Sequence, residues 1–385
     1  MRKIIDGIYS CGVTHACRRL FDELIPLPQG TSYNSYVVKG SEKTALIDTS
    51  YPEKAEEFLK NISGLERLDY VVANHGEQDH SGLLPEVMKR FPEARLLTNA
   101  KCRPLLTEAM ALDESRIDIV DDSTEIPLGG KTLKFVMAPW VHWPDTMFTW
   151  VPEDRMLFTC DFLGAHTSHD EIFAREDSDT LLAAKRYYAE IMMPFRTFCA
   201  KYLKKVRELN PAMILPSHGG VYRNPDFILK AYEEWTSDSC ARKVVVPYVS
   251  MYGNAFAMAE YLKARLEASG VKVAMADMAD GDLGEYAVEI VDAGAIVYAA
   301  SVVLTAPHPM IAGAAYVTNL LRPKAKYFAV VGSLGWGGML ANKIGEFFTL
   351  YKPESLGSVV AKGRPTAENF AQLDALAAAI SEKLQ

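Results

Sequence analysis

The stretch Asn74-His75-Gly76-Glu77-Gln78-Asp79-His80-Ser81-Gly82 sets four potential metal ligands, His75, Glu77, Asp79 and His80, within six residues. It follows at once on an apolar run, Tyr70-Val71-Val72-Ala73, that reads as a buried strand. A strand ending in such a loop can turn successive side chains toward one point, which is what a metal site requires. The alternative is a polar loop with two surface histidines. It is disfavoured because these four groups are costly to leave unpaired beside a core.

Three later strand signals each end on one more candidate. Thr132-Leu133-Lys134-Phe135-Val136-Met137 runs into a loop in which two prolines and two tryptophans brace His142. Met156-Leu157-Phe158-Thr159-Cys160 leads to Asp161, and Ala212-Met213-Ile214-Leu215-Pro216-Ser217 leads to His218. Upstream, Tyr36-Val37-Val38 and Ala45-Leu46-Ile47-Asp48 are β-rich runs split by the turn cluster Gly40-Ser41-Glu42-Lys43. Residues 52–62 have helical spacing with Pro52 near the start, and Ser81 is placed to cap a helix through Leu84, Val87 and Met88. One long helical stretch is expected over about 178–206. Strands alternating with helices indicate a layered α/β domain, and strand-end loops are where such folds place their chemistry.

The spacing His-x-Glu-x-Asp-His resembles the metal loop of the metallo-β-lactamase superfamily, with Glu77 where the hydrolases carry a middle histidine. A carboxylate is a harder, anionic donor than imidazole, so the exchange favours iron over zinc. Taken in order, His75, Glu77, Asp79, His80, His142, Asp161 and His218 are similar to the ligand series of the flavodiiron proteins, or A-type flavoproteins. The resemblance implies a metallo-β-lactamase-like αββα domain holding two irons. His75, Glu77 and His142 would hold the first, Asp79, His80 and His218 the second, with Asp161 bridging. Three carboxylates and a bridging hydroxide would neutralise two Fe(II) ions, so the reduced site could stay buried without a large desolvation cost. The resemblance also implies a tyrosine near 186–194 that faces the metals. Tyr187 and Tyr188 both stand there, and Tyr188 is taken as the candidate, with packing as the alternative role. His166 is placed behind the ligands, while His15, His169 and His308 read as structural or surface residues.

Composition changes over the polar stretch 235–243, which sets expected domains at 1–240 and 241–385. Strands are expected near 243–250, 271–277, 294–300, 327–333 and 358–361, with helices between them. That rhythm is the flavodoxin-like doubly wound parallel sheet, order 2-1-3-4-5. Ser250, Met251, Tyr252, Gly253, Asn254 and Ala255 lie between the first strand and its helix, where backbone N–H groups bind a phosphate dianion. The loop resembles the flavodoxin phosphate loop, Ser/Thr-x-Tyr-Gly-Asn-Thr, and departs from it at Ala255. The missing hydroxyl costs about 1 kcal/mol of phosphate binding. The loop is no Gly-x-Gly-x-x-Gly, which argues against a dinucleotide. By the same resemblance, Ser301, Ser333, Leu334, Gly335, Trp336 and Gly337, on loops after the third and fourth strands, complete an FMN site.

A length of 385 residues suits two domains, and a net charge of −8 without a long basic run excludes nucleic acid as the expected partner. No apolar run approaches the roughly 20 residues that span a bilayer, and Asp6 comes too early for a signal peptide. The six cysteines form no Cys-x-x-Cys pair, so no rubredoxin-type iron site is expected, and scattered thiols suit a cytoplasmic protein. The flavodiiron resemblance implies reduction of O2 to water and/or NO to N2O through FMN, with rubredoxin or another small electron donor. It also implies a head-to-tail homodimer, possibly a dimer of dimers. One rival is a dinuclear-zinc hydrolase with a flavodoxin-like appendage, against which Glu77 and the phosphate loop both speak. The other is a flavin-bound electron-transfer protein with an empty metal site, against which the unbroken ligand set speaks.

Overall fold

The computed structural model describes residues 1–385, which divide into two compact units. The first comprises residues 1–188 and 195–236, the second residues 189–194 and 237–385.

The first unit is built on two sheets. One has seven strands in the order Arg2–Ile5, Ile8–Ser10, Tyr36–Lys39, Thr44–Ile47, Tyr70–Val72, Arg95–Thr98 and Ile117–Ile119. Its first four strands pair antiparallel and its last four parallel. The other sheet has five strands in the order Glu125–Pro127, Thr132–Met137, Met147–Val151, Met156–Cys160 and Met213–Pro216, with only the last pair parallel. Alternation along the strands explains how both faces of the first sheet are buried. Tyr36, Val38, Ala45, Ile47, Val72 and Leu97 point toward the second sheet, where Leu133, Phe135, Met147, Val151 and Phe158 meet them. Their neighbours Val37, Leu46, Val71 and Leu96 point the other way, onto Phe58, Leu84, Val87 and Leu106 of the helices. On the outer face of the second sheet Phe148 stacks on Phe162 and meets Tyr202 of the helix Arg196–Leu209 edge-on. This is a layered αββα sandwich.

Two local expectations are corrected. Ser81 caps no helix. Gln78–Ser81 is itself one helical turn, and the Ser81 hydroxyl donates back to the carbonyls of Gly76 and Glu77, closing the metal loop. The helix through Val87 starts at Leu84 without a side-chain cap. The expected single helix over 178–206 is interrupted. An α-helix Ser178–Tyr187, capped by the Asp177 side chain, passes into a π-turn Tyr188–Met192 and a 3-10 turn Met193–Phe195 before helix Arg196–Leu209 begins. Pro194 has no N–H to donate and cannot continue an α-helix, so the backbone widens and re-forms around it.

The second unit is a five-stranded parallel sheet in the order Lys272–Asp277, Lys243–Val249, Ala295–Val303, Tyr327–Leu334 and Glu354–Lys362, which is 2-1-3-4-5 in chain sequence. Val244, Val246, Val297, Ala299 and Val331 face helices Asn254–Ala268 and Ala367–Lys383 through Met258, Leu262, Leu373 and Ile380. The third strand runs three residues past its expected end. It folds back through Leu304 and Thr305, both left-handed, to pair with Ala306–Pro307.

Candidate functional site

Four strand ends of the first unit converge on one place. The strand Tyr70–Val72 delivers His75, Glu77, Asp79 and His80, and three strands of the second sheet deliver His142, Asp161 and His218. The loop after Tyr70–Val72 is shaped by buried polar contacts. Asn74 donates its main-chain N–H and its amide to the two oxygens of Asp48, and its amide oxygen accepts from Thr149. Gly76 donates its N–H to Asp145 Oδ2 at 2.7 Å, and a Cβ there would lie only 3.1 Å from Leu105. The fit is tight, and a side chain there would require Leu105 to give by a few tenths of an ångström.

The ligand atoms fall into two groups, His75, Glu77, His142 with Asp161, and Asp79, His80, His218. Glu77 Oε2 lies 3.2 Å from His75 Nε2 and 3.3 Å from His142 Nε2. Asp79 lies 3.2 Å from both His80 Nε2 and His218 Nε2. Asp161 faces both groups. Its Oδ2 is 3.7 Å from His75 and 3.5 Å from His142, and its Oδ1 is 3.0 Å from His80 and 3.2 Å from His218. His218 Nδ1 donates to the Ser32 carbonyl at 2.6 Å, which fixes its proton there and leaves Nε2 facing the carboxylates.

The electrostatics fit a cation site. Burial works against a charged imidazole, yet Asp161 and Glu77 raise His142 to about 9. Asp161 and Asp79 likewise outweigh burial and raise His218 to about 10. Burial also opposes ionisation of Glu77 and Asp161, but the surrounding imidazoles hold both below the ordinary carboxylate range. These four shifts all favour positive charge set between carboxylates. Asp79 Oδ1, His80 Nε2 and Asp161 Oδ2 are buried without a hydrogen-bond partner, an arrangement that is costly unless a cation completes it. The donor set, three carboxylates among four imidazoles, suits iron.

The tyrosine expectation is corrected. Tyr187, not Tyr188, reaches the cluster, and its hydroxyl donates to Asp161 Oδ1 at 3.0 Å. Tyr188 turns away to donate to the Trp235 carbonyl and packs edge-on against Tyr232. Adjacent helical residues point about 100° apart, so only one of the pair can face the metals. His166 lies behind His218, at a ring separation of 5.0 Å, with Thr31 Oγ1 2.9 Å from its Nδ1. Burial and the neighbouring His218 hold it well below the ordinary imidazole range, so it is neutral. His15 lies against Tyr33, His169 is on the surface, and His308 caps a helix by accepting from the Met310 N–H. Asp145 was not among the residues singled out from sequence; the acidic residue after the Trp143-Pro144 pair was the available signal. A cavity of about 290 Å³ opens beside Glu77 and Asp79, lined among others by Phe21, Leu27, Tyr33 and Tyr51.

In the second unit the loop after Lys243–Val249 carries Gly253 at φ +82°, immediately before helix Asn254–Ala268. Ser250 Oγ is buried without a partner, and the Met251 N–H donates to Ser301 Oγ. Ala255 is buried in the first helical turn. An orphaned hydroxyl beside a helix N-terminus fits a phosphate group. Ser301 thus sits on the extended third strand and not on a loop, which corrects its expected setting. Ser333 and Leu334 close the fourth strand, and Gly335, Trp336 and Gly337 follow it. Trp336 is 81% exposed, so it is not a core residue.

A sandwich with a two-group carboxylate–imidazole cluster, joined to a doubly wound unit with a phosphate loop, defines the flavodiiron class of oxidoreductases, whose cofactors are FMN and a diiron centre. The chain belongs to that family. Residues 31–219 match the family described as ODP family beta lactamase. The chain is 34% identical to coenzyme F420H2 oxidase of Methanothermobacter marburgensis, covering 88% of this chain and 87% of that protein. It is also 34% identical to nitric oxide reductase of Moorella thermoacetica, covering 87% and 86%. The structure of rubredoxin oxygen:oxidoreductase from Desulfovibrio gigas aligns with a TM-score of 0.94 at 28% identity, over 99% of this chain and 98% of that one. No helix is long and apolar enough to cross a membrane.

Proposed function

We propose that this chain reduces O2 to water, NO to N2O, or both, at two irons held by the cluster on the first unit. The observation that carries the reading is Asp161, which presents one oxygen to each ligand group. His75, Glu77 and His142 would hold one iron and Asp79, His80 and His218 the other, with Asp161 shared between the two groups. With these groups bound, two ferrous ions would supply two electrons and reduced FMN two more, matching the four that O2 needs and exceeding the two needed by a pair of NO molecules.

The protein's own groups prepare that chemistry. Tyr187 holds Asp161 by its hydroxyl, and Ser32 holds the tautomer of His218. The cavity that opens on Glu77 and Asp79 gives a small gas a way in, past Phe21 and Leu27 on one part of its wall and Arg18, Asp22 and Glu23 on another. His166 steadies His218 as a neutral neighbour. In the second unit Ser250 to Asn254 would hold the FMN phosphate. Ser301, Ser333, Leu334, Gly335, Trp336 and Gly337 would border the ring, and the exposed Trp336 indole would offer it an aromatic face. The functional domains are 1–240 for the metals and 241–385 for the flavin.

Electrons come from a separate donor in the cytoplasm, rubredoxin as in the Desulfovibrio relative's name or F420H2 as in the methanogen relatives' names. The working form is a head-to-tail homodimer in which each flavin faces the partner's irons. Protein made in iron-replete cells is expected to contain two irons and one FMN per chain, measured by elemental analysis and by chromatography of the flavin released on heating. Two zincs with hydrolytic activity, or FAD in place of FMN, would refute the assignment.

A further inference from the structure

The two ligand groups differ in what stands behind them. His75 Nδ1 lies 3.0 Å from Asp145 Oδ2, and both side chains are fully buried. In the other group His218 Nδ1 meets a neutral main-chain carbonyl, that of Ser32. A carboxylate that accepts the far N–H of a metal-bound imidazole fixes the ring and makes its other nitrogen a stronger donor, and it does both better than a carbonyl.

Asp145 is held firmly enough for this. Its Oδ2 also accepts the Gly76 N–H at 2.7 Å, which locks it to the metal loop itself. Its main-chain carbonyl accepts from the Asn99 amide at 2.5 Å, and two residues on, the Met147 N–H donates to the Asn74 carbonyl. Trp143 packs edge-on to the His75 ring at 4.9 Å, leaving the ring no freedom to turn from Asp145. His75 Nε2 is thereby aimed at Glu77 and Asp161.

Resting on the two-iron reading above, we infer that Asp145 is a positioning residue that makes the irons unequal: the iron on His75, Glu77 and His142 is bound more tightly and oxidised more readily than the iron on Asp79, His80 and His218. The added negative charge behind His75 stabilises Fe(III) over Fe(II) at that position; in the other group His218 has only the Ser32 carbonyl, and the buried Asp48 near His80 accepts from Asn74 with both its oxygens instead of from a ligand ring. A half-oxidised centre then has its ferric ion mainly on the His75 side.

The test uses full-length protein with FMN bound, as wild type, Asp145→Ala and Asp145→Asn, loaded with 57Fe. Iron is withdrawn by a competing chelator at equilibrium, and Mössbauer spectra follow a stepwise oxidation. In Asp145→Ala one of the two irons is expected to lose about 10–100-fold in affinity while the other stays within about twofold. Asp145→Asn keeps an acceptor for His75 and Gly76 but not the charge. It should retain both irons, with a smaller population of the mixed-valence state at half oxidation. Equal weakening of both irons in Asp145→Ala, or unchanged affinities, would overturn the inference. So would an Asn variant whose mixed-valence population matches wild type, and that variant decides the matter if the alanine protein does not fold. A wild-type protein without two irons would instead refute the reading on which the inference rests.

Discussion

Asp161→Ala is expected to abolish the dinuclear centre while leaving the flavin in place. Asp161 is the one carboxylate within 3.7 Å of four imidazoles, His75, His80, His142 and His218, and it also accepts from Tyr187. Removing it takes away one of three negative charges that offset two ferrous ions. It also breaks the contact between the two ligand groups. Loss of an outer partner of a metal ligand already costs about 10–100-fold, so a shared ligand should cost at least about 100-fold in iron affinity and in turnover. FMN content should not move, because Ser250 to Asn254 lie in the other unit. Iron and flavin are counted on the same preparation. An Asp161→Ala protein with two tightly held irons would show that the bridge is misassigned.

A second large effect is expected from mixed dimers. One parent carries His75→Ala and Asp161→Ala, and the other carries Gly253→Val and Asn254→Asp. Gly253 sits at φ +82°, a conformation that a β-branched residue resists, and an aspartate at 254 would repel the phosphate. Each parent homodimer should be inactive. In a head-to-tail dimer the flavin of one chain serves the irons of the other, so a co-expressed mixed dimer has one working pair of the two. Turnover should return to roughly half that of wild type in such a two-fold arrangement. Mixed dimers with verified FMN and iron that remain inactive would place each working pair within one chain.

Much of this molecule could be read from its sequence because its chemistry is dense and ordered. Ligands packed at His75, Glu77, Asp79 and His80 after a strand leave few folds open, and His142, Asp161 and His218 each follow a strand signal of their own. The parallel sheet of the second unit was legible for the same reason, since apolar runs such as Val244 to Val246 repeat between helical segments. What escaped was phase and partnership. Choosing Tyr187 over Tyr188 depends on a helix rotation set by tertiary packing, with Pro194 and a π-turn just downstream. Ser81 looked like a cap because serine before an apolar run usually is one, but its hydroxyl closes the metal loop instead. Asp145 reads as a loop carboxylate until the fold sets it against a histidine 70 positions earlier in the chain. The hairpin at Leu304 and Thr305 was hidden because neither residue normally favours the left-handed conformation both adopt.

Gas reduction by this chain is decided by anaerobic turnover on one preparation with measured iron and FMN. The reduced protein, supplied with a reduced donor, is mixed with O2 in one experiment and with NO in another. Four electrons are expected to be consumed per O2 without released peroxide, or two per pair of NO with N2O formed, with loss of both activities in Asp161→Ala. A protein carrying two irons and one FMN per chain that consumes neither gas, or that converts O2 to peroxide, would contradict that expectation.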